Sequence, residues 1–264
     1  MTRVPAMALP QRLLLGALLP VTAIIVWQAW GMAQSNPRVP LPTRVVSNAM
    51  AMIASGDLPS ALLQSLGRVF GGFAIAASIA IPLGLAMGRS RAIERNLDPL
   101  VESFRPIAAI AILPLAILWL GTGTPAALMI VAYAAFFPII INTIAGAKRV
   151  NTTLLAAAAT MGLSRWATLR TVVVPSALPS IFVGLRIGLG VAWTAIVAAE
   201  LAVGAKAGGG GSGGIGQMMF VFYAYSIELN RIVVCMIAVG LVALVLDRML
   251  RGMLARLLPW SKAT

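Results

Sequence analysis

Residues 106–147 carry no Asp, Glu, Lys, Arg or His, forty-two consecutive positions without a formal charge. One helix crosses the hydrocarbon of a bilayer with about 20 residues, so this stretch holds two. Gly121, Thr122, Gly123, Thr124 and Pro125 stand near its middle and supply the tight turn between them. The rest of the chain agrees. Of 264 residues, 60% are hydrophobic and 10% charged, against about a quarter charged in a soluble domain. The expected fold class is an all-α polytopic membrane protein.

Charge-poor intervals place the other spans at 13–33, 69–88, roughly 176–199 (interrupted by Arg186) and roughly 229–249, which makes six transmembrane helices. The interval 13–30 is longer than the apolar region of a secretory leader, so a retained first span is expected. Basic residues cluster on one side: Arg3, Arg12, Arg89, Arg91, Arg95, Lys148, Arg149, Arg165, Arg170, Arg248, Arg251, Arg256 and Lys262, with Arg105 at the start of the third span. The other side keeps Arg38, Arg44, Lys206 and Arg231, with Arg68 near the end of span two. The positive-inside rule puts the richer side, and both termini, in the cytoplasm.

This distribution also decides what the net charge of +13 means. The cations sit in ones, twos and threes at the ends of apolar runs, not in a stripe interleaved with aromatics, so a nucleic-acid partner is not expected. With Cys235 alone and no His, neither an intrachain disulfide nor a Cys/His metal site is expected. No GxxxxGK[ST] pattern occurs, so the chain has no phosphate-binding loop of its own. No cofactor is expected in this chain.

Three regions follow. Residues 1–64 hold the first span and an outer connection, with a short surface helix at 43–55 stopped at Gly56. Residues 65–250 form the transmembrane core and contain a cytoplasmic loop, 151–175. Residues 251–264 form a cytoplasmic tail. The run GGGGSGG at 208–214 reads either as a linker or as a mobile outer rim. Gly84, Gly88, Gly184 and Gly188 are spaced for close helix approach, and Pro82 and Pro114 are placed to kink or open helices.

The loop 151–175 is the segment least like a span. Asn151, Thr152 or Thr153 can cap a helix, residues 154–161 favour one, and Gly162 fits the left-handed position that ends it. Ser164 can cap a second helix running to about Val174, and Pro175 and Pro179 mark entry into span five. The first of these helices, with Leu154, Leu155, four alanines and Met161, is apolar almost all round. Outside the bilayer it needs a cover. Two covers stand open: the protein's own surface, or a groove on a separate subunit whose acidic rim meets Arg165 and Arg170.

This segment resembles the coupling loop of ABC importer permeases, E-A-A-x3-G-x9-I-x-L-P. Ala157 and Ala158 match the two alanines, Gly162 the glycine and Pro175 the final proline. Val172 and Val174 replace Ile and Leu, and Ala156 stands where the family usually has Glu. The stretches IPLGLAMGRSRAIERNLDPLVESFRPI, LPLAILWLGTG, FFPIIINT, LPSIFVGLRIGLGVAWTAIVAAEL and GGIGQMM resemble the nitrate, sulfonate, taurine and bicarbonate permease branch. The resemblance implies a type I ABC importer permease fold in a bacterial inner membrane. The implied partners are a second permease copy as a homodimer, a cytoplasmic ABC ATPase dimer that uses ATP, a periplasmic substrate-binding protein and membrane lipid. It implies that Ala156, Ala157, Ala158, Gly162 and Pro175 couple the permease to the ATPase, and that the transported solute is a small anion.

Two ionisable residues of span five, Arg186 within it and Glu200 at its outer end, are candidates for the translocation pathway. Arg186 reads either as a positive site on an anion route or as one half of a structural pair, because a charge within the bilayer is costly. Glu200 lies fourteen positions on, about 21 Å along the helix, too far to pair with Arg186. It reads as a contact for the binding protein or for a neighbouring outer residue. Two rival classes remain. A secondary transporter buries several ionisable relays at mid-membrane, and here there are only Arg186 and Glu200. A non-transporting scaffold needs no kinked spans.

Overall fold

A computed structural model describes residues 9–34, 39–206 and 213–257. Every regular element among them is helical. The first six α-helices in chain order are α1 (Leu9–Ala33), α2 (Pro42–Ala54), α3 (Asp57–Arg89), α4 (Arg91–Phe104), α5 (Leu113–Leu120) and α6 (Thr124–Lys148). They are followed by α7 (Thr152–Thr160), α8 (Arg165–Thr168), α9 (Val174–Lys206), α10 (Ile215–Val221) and α11 (Leu229–Leu257). A 3-10 turn, Ala109–Ile112, leads into α5, and π-helical turns occupy Leu169–Val173 and Phe222–Ser226. Most of the expected glycine run, and the last residues of the tail, lie outside the described residues.

The core is a three-helix unit of α3, α6 and α9, in which Val69, Ala80, Val131, Ala135, Ile139 and Trp193 are buried together. Small residues set the spacing. A Cβ added at Gly84 would meet Thr143 Cβ at 2.8 Å, and one added at Gly184 would meet Asn142 Cβ at 2.8 Å. These are the close approaches that the small-residue spacing promised. The contacts also give direction. Gly72 faces Val131 and Gly84 faces Thr143, so α3 and α6 run parallel; Gly184 faces Asn142 and Gly188 faces Ile139, so α9 runs antiparallel to them.

A parallel pair requires the chain to cross back between its members, and only α4, the 3-10 turn and α5 lie between α3 and α6. The α4 end of this return is held at the far end of α6 by the Glu94–Lys148 ion pair. Its α5 end packs Leu113 and Ala116 against Ala126 and Ile130 at the near end of α6. The two halves are bent by 87°. Together they form one broken crossing.

This corrects the expected third span, which was placed from Arg105 onward. Arg105 caps the C-terminus of α4 and stands at the break. Charge counting failed there because α4 is charged (Arg91, Glu94, Arg95, Asp98, Glu102) and so fell outside the charge-poor intervals taken as spans.

Four helices are long and apolar enough to cross a bilayer among the described residues: α3, α6, the continuous run from Arg165 to Val203, and α11. The broken pair is a fifth crossing, and α1 adds a helix of 25 residues. The surface helix α2 falls where the sequence placed it, ends before Gly56 in the left-handed conformation (φ 79°), and packs Val45 and Met52 into a cluster with Val234 and Cys235 of α11.

Candidate functional site: the docking element and two ion-pair networks

The loop after α6 folds as its capping residues direct. Asn151 Oδ1 accepts from Thr153 N at 2.8 Å and starts α7. Gly162 adopts φ 69°, and the N–H groups of Gly162 and Leu163 donate to the carbonyls of Ala159 and Ala158 at 3.0 and 3.1 Å. That paired return closes a helix C-terminus around a left-handed residue. Ser164 Oγ accepts from Ala167 N at 3.2 Å and starts α8.

Of the two covers left open by the sequence, the protein's own surface is realised on one side of α7. Ala158 is fully buried, and Leu155 packs beside it on Leu85, Ala147, Val150, Val173 and Ala177, the ends of α3, α6 and α9. The opposite side is bare. Ala156 and Ala157 are exposed, as are Leu154 and Leu163, while Met161 is 70% and Trp166 71% exposed. Trp166 is the largest group on this surface and is not among the residues expected there from sequence. The available signal was an aromatic residue in a basic segment away from any span.

Pro175 is exposed and is the second residue of α9. It was expected to mark a boundary between the loop helix and span five. Instead α8 runs through the π-helical turn into α9 without a break, giving one helical run from Arg165 to Val203. The π turn widens the ladder just ahead of Pro175, where proline removes a backbone donor.

Arg186 Nε donates to Asp247 Oδ1 at 2.6 Å, and Arg251 Nε donates to the other oxygen, Oδ2, at 2.7 Å. Asp247 is the one acidic residue of α11, and the sequence reading did not connect it with Arg186. The pair is half-buried, 39% and 35% exposed. Alongside it, Trp193 Nε1 donates to Val239 O at 3.1 Å, so α9 and α11 are tied at two levels.

Glu200 sits in a denser network. Arg68 Nη1 donates to Glu200 Oε1 at 2.7 Å and to Gly213 O at 2.8 Å. Ser65 Oγ donates to Glu200 Oε2 at 2.7 Å, and Gly216 N donates to the same oxygen at 3.1 Å. Ser65 Oγ also accepts from Ile215 N at 2.9 Å. The side chains are 8% and 3% exposed. Of the two readings of Glu200, the neighbouring residue is realised: Arg68, at the same end of the molecule. The network pins the start of α10 against α3 and α9.

Comparison with known proteins bears on the same chain. Residues 79–259 match the family model described as "Binding-protein-dependent transport system inner membrane component". A chain of Methanocaldococcus jannaschii with the provisional name ABC transporter permease protein is 37% identical, over 96% of this chain and 94% of that one. The taurine transport system permease protein of Escherichia coli K12 is 35% identical over 84% of this chain and 80% of its own length. The nitrate import permease protein of a Synechocystis strain is 33% identical over 85% and 82%. Among solved structures, the MetNI methionine ABC transporter in inward-facing conformations superposes with a TM-score of 0.57 at 24% identity, covering 75% of this chain and 97% of that one, which bears on the fold.

Proposed function

Because this chain belongs to the family of binding-protein-dependent transport system inner membrane components, we propose that it is the translocation subunit of an ATP-driven importer of a small anion. The chain is an ABC transporter permease, and its place is the inner membrane. ATP is bound and hydrolysed by a partner ATPase dimer. A binding protein delivers solute to the outer face, and a second copy of this chain completes the pore. Six crossings, counting α1 and the broken pair, leave both termini in the cytoplasm, in keeping with the charge asymmetry.

One observation carries this reading. An exposed apolar surface outside the spans (Leu154, Met161, Leu163, Trp166) ends on α8 at Trp166, and α8 continues into span α9 as uninterrupted helix. Closure of an ATPase pair on that surface displaces α8, and α8 cannot move without α9. Ala156, Ala157, Ala158, Gly162 and Pro175 shape this transmission. Ala156 and Ala157 permit close approach of the ATPase, Ala158 seats α7 on the permease, Gly162 turns the chain, and Pro175 lies at the π-helical joint. Ala156 offers no carboxylate, so contact here is apolar. The bonding of Arg186 to Asp247 and of Glu200 to Arg68 supports scaffold roles for these two charges over direct roles on the solute's route.

The anion assignment rests on the oxyanion groups in the named substrates of relatives: the sulfonate of zwitterionic taurine, nitrate, and the bicarbonate handled by a Synechococcus elongatus permease 34% identical to this chain. The test is reconstitution of this chain with its ATPase and binding protein in liposomes, reading ATP hydrolysis and uptake with taurine, nitrate or bicarbonate. Hydrolysis stimulated by one loaded binding protein, with uptake of the same solute, is the expected result. Uptake that persists without ATP would overturn it.

A further inference from the structure

The break between α4 and α5 lies part-way along α6, with residues 102–108 on an exposed side of the chain. Lys148 pairs with Glu94 near the start of α4, and Tyr133 Oη donates to Phe104 O at its end at 2.6 Å. Fifteen helical residues separate Tyr133 from Lys148, about 22 Å, so Phe104 and Arg105 stand well inside a hydrocarbon layer roughly 30 Å thick. Irregular backbone is tolerated at that depth only where protein or a water-filled cavity receives it.

A cavity is present there. It has a volume of about 440 Å³ and is lined by Arg105 and residues 106–109, by Tyr133, Phe137 and Asn142 of α6, and by Ile187 and Val191 of α9. No acidic side chain lines it. The guanidinium of Arg105 is weakly engaged among the described bonds. Its ion-pair contact with Glu102, one turn back, is 3.5 Å long, and the side chain is 54% exposed. Asn142 spends one amide hydrogen on Pro138 O at 2.8 Å, which leaves the other for a ligand. A mid-membrane arginine is costly unless something recruits it, and the tight contacts that absorb Arg68 and Arg186 are missing here.

We infer that this cavity is a mid-membrane station for the transported solute, in which Arg105 and Asn142 hold a small oxyanion and Phe137, Ile187 and Val191 face its uncharged part. The inference rests on the importer reading above and names a site within it. A planar guanidinium presents paired donors that match the geometry of sulfonate, nitrate or carboxylate oxygens. A helix broken at the membrane midplane, with its ends turned to a cavity, is a recurrent way of building solute sites in transporters.

The test reads the charge of the cavity directly. Val191→Cys is introduced in a Cys235→Ala background, and the purified permease is labelled with anionic 2-sulfonatoethyl methanethiosulfonate or cationic 2-aminoethyl methanethiosulfonate. With Arg105 in place the anionic reagent is favoured. Arg105→Gln lowers the anionic-to-cationic rate ratio about tenfold, the scale of one unit charge at close range, and Arg105→Lys keeps it. An unchanged ratio in Arg105→Gln, with the protein monodisperse on size exclusion, overturns the site. In the reconstituted complex, Arg105→Gln lowers anion uptake at least as strongly while binding-protein-free ATP hydrolysis persists; uptake at the wild-type rate also overturns it. Failure of the importer reading shows elsewhere, as wild-type complex that takes up no anion whatever the labelling ratio.

Discussion

Arg186 and Asp247 meet at 2.6 Å between α9 and α11, with Arg251 on the second oxygen of the same carboxylate. The shared carboxylate makes the two cations unequal. Arg251 lies four residues along the same helix and can turn to water, whereas Arg186 is carried by another span. The pair is therefore a clasp between spans. Arg186→Asp is expected to abolish assembly or uptake, and the exchange Arg186→Asp with Asp247→Arg to restore much of it. Uptake and thermal stability of both variants check this. Failure of the exchange to recover either would mean that Arg186 serves something other than Asp247.

The Arg68–Glu200 network is buried, and removing one partner from a buried pair leaves an uncompensated charge, at a cost of about 3–5 kcal/mol. Arg68→Met alone is expected to lower stability on that scale, while Arg68→Met with Glu200→Leu loses much less. Denaturation of purified single and double variants in detergent measures the difference. Additive losses would refute the coupling.

The Trp166 indole makes no described hydrogen bond and is largely exposed. Trp166→Ala is expected to leave the melting temperature of the isolated permease unchanged and to weaken ATPase association by roughly 2 kcal/mol, the scale of a buried aromatic anchor at an interface. Titration of the ATPase onto immobilised permease reads it. Equal affinity would remove Trp166 from the docking surface.

Continuity of α8 with α9 can be cut without touching that surface. Insertion of Gly-Gly between Thr168 and Leu169 is expected to preserve ATPase binding and ATP hydrolysis and to abolish uptake, because displacement of α8 no longer reaches the span. Uptake at the wild-type rate would show that force travels by another route, through α7 or through α6.

Gly162 holds φ 69°, a conformation that costs a β-branched residue about 1–2 kcal/mol. Gly162→Val is expected to fray the end of α7 and lower coupled ATP hydrolysis with little change in the spans. Hydrogen exchange localised to 152–164, alongside hydrolysis, separates this from general unfolding.

The helical class, the surface helix α2, and the caps at Asn151, Gly162 and Ser164 were legible because each rests on local chemistry: hydropathy over a span, or a side chain serving a nearby backbone group. The broken crossing was not. α4 is charged, and charge marks a surface in any local reading; only the parallel run of α3 and α6 reveals that the chain crosses through it. The two ion-pair networks were half legible. Arg68 and Glu200 were both placed at the outer ends of their spans, and Asp247 was available as a lone acid in the last span. What was absent was which helices touch, a property of packing that small residues such as Gly72, Gly84 and Gly184 settle only in three dimensions.

The two ion pairs share an order of synthesis. Arg68 precedes Glu200 by 132 residues, and Arg186 precedes Asp247 by 61. In both the cation emerges first. At a translation rate of roughly 5–20 residues per second, Arg68 waits on the order of ten seconds for its carboxylate. Through that interval α3 is an apolar segment whose cation lacks the Glu200 carboxylate, one that the insertion machinery must shelter or let slide. Biogenesis of this chain therefore has a late step, the arrival of Glu200, before which its second span is not fixed in depth.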